Sequence, residues 1–283
     1  MDLSKYKQIG RGAFGTVYSA LLNKTKEPVA VKYAKTKKNK KLLVNEFKML
    51  ELLKDRVGVP KIYQHLSINS DSCIVMELLG KTLGNEACDL SLVGQLGVEI
   101  TSILKAIHDA GIIHRDIKPE NILRGLTSER LYLVDFGVAK RIIFAGVHTP
   151  FSNGHGVTGT PRYASLSTHK GEGCYSFNFI CLFQFISFLI AQGRKDDFES
   201  LMYTLLMFLN GRLPWQDLTR IDEIKKYKEE LDIKTLSQGS EAIEKLFIYI
   251  RALQFDSRPD YDLITEQFES MRSRKRKFLE TES

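Results

Sequence analysis

The four cysteines of this 283-residue chain, Cys73, Cys88, Cys174 and Cys181, show no CxxC or CxH spacing. That argues against a zinc site or disulfide framework and for reduced thiols. The first residues, Met1 to Lys5, lack the apolar stretch of a secretory signal, so an intracellular protein, cytoplasmic or nuclear, is expected. No aromatic residues interleave with the basic runs Lys35 to Lys41 and Arg272 to Lys277, and the usual signature of single-strand nucleic-acid binding is thereby missing. What is present is an ordinary globular balance of 43% hydrophobic and 27% charged residues, enough chain for two cores or one large one. The net charge of +7 suggests acidic partners such as phosphorylated peptides, or nucleic acid, against the plainer alternative of solvated faces. Arg272 to Lys277 also fits a nuclear localisation signal.

The richest segment is Ile113 to Asn121, I-H-R-D-I-K-P-E-N, where Asp116, Lys118 and Asn121 are the side chains that phosphoryl transfer needs. Its partner is Asp135-Phe136-Gly137. Between them Ile122-Leu123 and Leu131 to Val134 read as short strands around a turn at Gly125 to Arg130, which sets Asn121 opposite Asp135 about a centre near Ser128. Paired strands lie roughly 4.8 Å apart, close enough for an amide oxygen and a carboxylate to share Mg2+, which takes hard oxygen ligands. In this reading Asp116 accepts or orients the proton of an attacking hydroxyl. Lys118 offsets charge on the migrating group, and Asn121 and Asp135 hold the metal.

Gly10-Arg11-Gly12-Ala13-Phe14-Gly15-Thr16-Val17 also fits a dinucleotide fingerprint, but such a fingerprint needs a helix directly after the glycines. Here Thr16 to Leu22 is β-type, Asn23 to Pro28 is a turn and Val29 to Lys32 is another strand. The expectation is a hairpin whose tip, Gly10, Gly12 and Gly15, approaches phosphates through backbone N–H groups, with Lys32 reaching the same anions. Lys40 to Lys54 reads as a helix, and Glu46 lies on its apolar face beside Leu42, Leu43, Met49 and Leu50. An unpaired buried carboxylate costs several kcal/mol, so a cation must meet it, and Lys32 is the candidate. Ile9, Val17, Ala30 and Leu123 are apolar positions suited to sandwiching a purine, unless they are plain core, and Val75 to Leu79 reads as a strand leading to a hinge.

These motifs resemble the eukaryotic protein kinases, and within them the casein kinase I group, across about residues 6 to 270. The specific pointers are Met76-Glu77-Leu78-Leu79-Gly80, Thr158-Gly159-Thr160-Pro161-Arg162-Tyr163-Ala164-Ser165, Asp196-Asp197-Phe198-Glu199-Ser200 and Leu213-Pro214-Trp215-Gln216. Where most kinases carry Ala-Pro-Glu this chain has Ser165-Leu166-Ser167, and the group itself usually has Ser-Ile-Asn. The resemblance implies an α+β, two-lobed fold, with an N-lobe over residues 1–79 and a mainly helical C-lobe over 80–271. It implies a serine/threonine kinase using ATP and Mg2+, acting on acidic or already phosphorylated proteins. It further implies that Met76, Glu77 and Leu79 join the glycines, Lys32 and Asp135 in holding ATP, and that Arg162 and Lys226 bind an anion near the substrate. Asp217 stands where the group usually has a glycine of that anion site, and a carboxylate there weakens the case for primed substrates. Asp197, which opens the apolar stretch Phe198 to Asn210, either braces the catalytic loop, as in the family, or simply caps a helix.

One stretch departs from the family. Gly171 and Asp196 are separated by 24 residues, where the family has about six, and the excess includes the uncharged run Cys174 to Ala191. A bilayer span needs about 20 apolar residues, but a span here would set Asp197 and Asp116 on opposite sides of the membrane and split one core. Two readings stay open: a hydrophobic insertion over 172–192, or translated noncoding sequence such as a retained intron. The expected protein is a monomer without a membrane span, with a basic tail over 272–283 and no long regulatory extension. A nucleotide-binding scaffold disabled by the inserted segment is the competing function.

Overall fold

The computed structural model describes residues 5–12, 15–22, 25–68, 71–84, 87–144, 146–149, 157–170 and 192–272. The 172–192 segment up to Ala191, with Cys174 and Cys181, the tail after Arg272, and Ala13 and Phe14 of the glycine motif lie outside the described residues. In chain order the first elements are β1 (Lys7–Gly12), β2 (Gly15–Leu21), β3 (Pro28–Ala34), α1 (Lys37–Leu52), β4 (Ile62–Ile68), β5 (Asp71–Glu77), α2 (Leu90–Asp109) and β6 (Ile112–Ile113). Four short strands follow, β7 (Ile122–Arg124), β8 (Leu131–Leu133), β9 (Lys140–Arg141) and β10 (Ile143–Phe144), then β11 (Val147–His148). The rest is helical: α3 (Leu166–Lys170), α4 (Arg194–Asn210), α5 (Ile221–Glu229), α6 (Ile233–Leu236), α7 (Glu241–Ala252) and α8 (Tyr261–Arg272). Two compact units result, one of Met1–Leu83 with Glu120–Lys140, the other of Gly84–Pro119 with Arg141–Ser283.

The first unit is built on an antiparallel sheet of order β1-β2-β3-β5-β4. Val17 pairs with Lys32, Lys32 with Ile74 and Ala30 with Met76, so these side chains share one face, because alternate residues of a strand point the same way. Val29, Val31, Cys73 and Val75 occupy the opposite face as a buried cluster, with Tyr33, Tyr63 and Leu66 packed against it. Helix α1 begins at Lys37 rather than at the expected Lys40, because the Thr36 hydroxyl accepts from Asn39 N at 3.2 Å and caps the first turn. The β7–β8 hairpin is present with a register one residue from expectation. Gly125 N donates to Arg130 O at 2.8 Å, Ile122 faces Leu133, and Val134 N donates to Asn121 O at 3.0 Å. The even-numbered loop thus sets Asn121 opposite Val134, and Asp135 follows as the next residue in a left-handed conformation, φ 67°.

The second unit is helical. Asp89 Oδ1 accepts from Leu92 N at 2.8 Å and caps α2. By length and hydropathy α2 qualifies as a membrane span, yet Ile100, Ile103, Leu104 and Ile107 are fully buried within the protein, as in the core helix of a folded domain. Helix α8 approaches it closely: a Cβ on Gly94 or Gly97 would collide with the Phe268 carbonyl or ring. Helix α4 is buried on nearly every side from Arg194 to Leu209, and it ends where Gly211 takes φ 72°, a conformation glycine adopts without Cβ strain.

Candidate active site

Every nucleotide-binding residue expected from the sequence belongs to the first unit, most of them on its sheet, with Leu79 just after β5 and Asp135 just after β8. Gly12 faces Gly15 at the tip of the β1–β2 hairpin, and among the described residues nothing lies within 4 Å of where a Cβ on Gly12 would stand. Ala30, Met76 and Leu79 are buried, whereas Ile9 is 44% exposed at a bulge between Gln8 and Gly10. Gly80 N donates to Arg124 O at 2.9 Å and Leu123 bridges to Thr82, which ties the stretch after Glu77 to β7. The Glu77 carboxylate itself accepts from Lys61 N at 3.0 Å.

The Lys32 ammonium donates to Glu46 Oε2 at 2.7 Å and to Asp135 Oδ1 at 2.9 Å. The pair expected from the odd carboxylate on the apolar face of α1 is formed, and Glu46 is 2% exposed. Burial alone would lower the lysine, but the carboxylates of Glu46 and Asp135 outweigh it and hold the ammonium above the usual lysine range. Burial pushes the Glu46 carboxyl up to about 7, with Lys32 and the Phe136 N–H pulling the other way. A contact of 2.7 Å between Nζ and Oε2 is that of a charge-assisted bond, and we assign the pair as ionised at neutral pH. Asn45, beside Glu46, donates through Nδ2 to Gly137 O at 3.0 Å and Ala139 O at 2.9 Å. It thereby fixes the turn that presents Asp135.

In the second unit Asp116 is 4% exposed and tightly oriented. Its Oδ1 accepts from the backbone N–H and the hydroxyl of Thr160, both at 2.8 Å, and Lys118 Nζ donates to its Oδ2 at 2.7 Å and to Thr160 Oγ1 at 2.8 Å. Gly159 makes this approach feasible: it takes φ 89°, and a Cβ there would run into Arg115 O. Below the loop, Asp197 accepts from His114 N and Arg115 N at 2.8 Å each and lies 3.0 Å from His108 Nε2. Burial would raise its carboxyl, but the bond from His108 and the N–H of His114 hold it below the usual carboxylate range. Of the two readings of Asp197 the brace is therefore the observed one. The cap belongs to Asp196, which accepts from Gly193 N at 2.6 Å.

Arg162 and Lys226 are not bonded to each other. Arg162 donates to Gln216 O at 2.8 Å, and Lys226 is exposed on α5. Asp217 makes a surface ion pair with Arg212 at 2.7 Å. Thr160, Asn45 and His108 are site residues that the sequence reading did not single out. Thr160 lies within a motif already noticed, and Asn45 is the neighbour of Glu46 on α1, so position along the chain offered a weak signal for both.

The comparisons agree with this geometry. The family model described as protein kinase domain matches residues 3–165, more than half of the chain. Among curated proteins the chain is similar to Casein kinase I homolog 2 of Schizosaccharomyces pombe, with 31% identity over 284 residues, 94% of this chain and 61% of that protein. The chain thus spans about three fifths of the length of that relative. A sheet unit carrying the glycine hairpin, Lys32, Glu46 and Asp135, a helical unit carrying Asp116 and Lys118, and these matches lead to one conclusion: the chain belongs to the protein kinase family, and its likeness within the family is to casein kinase I.

Proposed function

We propose that the chain is a serine/threonine protein kinase that transfers the γ-phosphate of ATP to hydroxyls in acidic or already phosphorylated protein segments. The observation that carries this reading is the Lys32 ammonium held between Glu46 and Asp135, on the strand paired with the glycine-tipped hairpin. A fixed cation on a strand of the sheet that carries a glycine-rich hairpin suits a polyphosphate. The donor set also suits Mg2+: Asn121 and Asp135 offer hard oxygens, and the β7–β8 register brings their segments together. Bound there, the metal would neutralise phosphate charge. Asp116 would orient the substrate hydroxyl and take its proton, with its own carboxylate fixed by Thr160, and Lys118 would offset negative charge developing nearby. Arg162 and Lys226 supply the positive charge that favours acidic substrates. Asp217 opposes them, although Arg212 meets part of its charge.

The test is phosphate transfer from Mg-ATP to casein, and to a peptide pair with serine or phosphoserine upstream of the acceptor. Transfer is expected, lost in Asp135→Asn, with higher kcat/KM for the phosphorylated peptide. Nucleotide binding without transfer would leave only a scaffold, and equal kcat/KM for the two peptides would remove the acidic preference alone.

The Lys32–Glu46 pair also sets a pH dependence. Protonating Glu46 leaves Lys32 on Asp135 alone, so kcat/KM for ATP should fall as pH drops below neutrality. Glu46→Gln, which cannot titrate, should be slower throughout and lack this acid limb. A pH–rate profile of the variant that keeps the limb would assign it to another group.

A further inference from the structure

The segment after Thr160 is held by a lysine that family resemblance and sequence pattern both pass over. Lys228 sits in the run Lys225-Lys226-Tyr227-Lys228 on α5, a helix that exposes Asp222, Glu223, Lys226, Tyr227 and Glu229, yet it is 0% exposed. Fully buried lysines are rare unless paired, and among the described residues no carboxylate lies within ion-pair distance of this one. Its Nζ instead donates to Pro161 O at 2.9 Å and Ala164 O at 2.6 Å and lies 3.2 Å from His169 Nε2. The rings of Tyr203 and Trp215 lie at 4.5 and 5.4 Å, so the ammonium is met by carbonyl dipoles and aromatic faces. The nearby Glu199 is committed elsewhere, to Arg251 at 3.2 Å, the Tyr203 hydroxyl at 2.7 Å and Leu166 N at 3.2 Å.

Such burial costs stability compared with a methionine of similar shape, so what the cation holds matters. Pro161 directly follows Thr160, which fixes Asp116. Between the two clamped carbonyls, Arg162 O accepts from Trp215 Nε1 at 2.8 Å. Three carbonyls within four residues are thus gripped by side chains from Trp215 and Lys228. The grip is anchored in turn, because Arg251 donates to Lys228 O at 2.8 Å while bonded to Glu199 and the Tyr203 hydroxyl. Burial holds the Lys228 ammonium well below the usual lysine range, with Glu199 pulling the other way and Arg251 adding to the shift. It also lowers the neighbouring His169 to about 4, helped by the Lys228 charge, so the imidazole is neutral, and its Nε2 lies 3.0 Å from Pro161 O, the same carbonyl that Lys228 holds.

We infer that Lys228, with Trp215, is a positioning residue for phosphoryl transfer: the two clamp Pro161 to Ala164 so that Thr160 stays against Asp116. The inference rests on the kinase reading for its catalytic consequence, but the clamp itself can be measured without it. Lys228→Met keeps the packing and removes the ammonium. It should fold with a Tm near or above that of the parent, since such replacements are often neutral or stabilising. Its peptide kcat/KM should drop by about 10- to 100-fold, as displacement of catalytic groups by an ångström does, while nucleotide affinity stays unchanged. Hydrogen exchange at the Tyr163 and Ala164 amides, both now bonded to Thr160 O, should quicken by about tenfold or more.

A folded variant with parental peptide kinetics and parental exchange would overturn the clamp, and so would a loss of nucleotide affinity in step with peptide turnover. If the parent transfers no phosphate at all, the kinase reading fails and exchange alone decides the clamp. If Lys228→Met does not fold, Trp215→Phe, which removes the N–H on Arg162 O together with one ring of the buried indole, decides: exchange that quickens at Tyr163 and Ala164 beyond any change at the buried amides of α4 supports the clamp, and exchange there that is parental or no faster than at α4 overturns it.

Discussion

Replacing Asp116 with Asn is expected to lower kcat by about 10²- to 10⁴-fold, the range general acid–base catalysis contributes, with nucleotide affinity held within roughly twofold. The geometry separates the two quantities. Asp116 has one oxygen on Thr160 N and Oγ1 and the other on Lys118, whereas every residue assigned to the nucleotide belongs to the other compact unit. An amide can keep the bond to the Thr160 N–H, so the loop should stay in place, but it cannot take a proton and it no longer attracts the Lys118 ammonium. Steady-state kinetics with a casein peptide, beside a nucleotide titration, measures both. A variant with kcat within threefold of the parent would remove Asp116 from the chemistry, since the proton would then have another acceptor.

Asp197→Ala should have the largest effect on stability. Its carboxylate accepts from two backbone N–H groups, His114 and Arg115, and lies against His108, all beneath a loop in which Arg115 takes φ 70°. A non-glycine residue in that conformation persists only when its surroundings over-determine it. Truncation strands buried donors at about 1–3 kcal/mol each and breaks a buried charge network of the kind that typically costs 3–5 kcal/mol. For a domain this large that converts to a Tm lower by about 10 °C, and the loop holding Asp116 should lose activity even where the protein remains folded. Calorimetry and kinetics on one preparation test both parts. A variant melting within about 2 °C of the parent at full activity would mean that Asp197 carries no such load.

The Lys32–Glu46 pair was legible because a charge on an apolar helical stripe is an energetic anomaly that demands a partner, and only one nearby strand offered one. The glycine hairpin was legible because β-type residues follow the glycines where a dinucleotide site needs a helix. Asp196 and Asp197 were not separable, being adjacent residues of one type whose roles differ only by the direction in which α4 points them. The hairpin register slipped by one because it depends on which carbonyl closes the loop, and residue types do not reveal that. Thr160 escaped because its partners depend on the close approach that Gly159 permits. Lys228 was hidden by its neighbours: three lysines in four residues read as a solvated face. Its burial follows from standing four residues after the buried Ile224, one turn further along the same side of α5.

The sheet unit is interrupted. Its β1 to β5 portion ends at Leu83, and the chain returns to it only over Glu120–Lys140, where Leu133 N bonds Gly58 O at 2.8 Å and Asn45 reaches the Gly137 and Ala139 carbonyls. On a ribosome adding about 5 to 20 residues per second, the first stretch emerges several seconds before the strands that complete it. Until then Lys32 and Glu46 lack Asp135, and Asn45 lacks its acceptors. The nucleotide half of the protein is consequently a late product of synthesis, and a nascent chain halted before Lys140 would expose a sheet with charged groups in its interior still waiting for their neighbours.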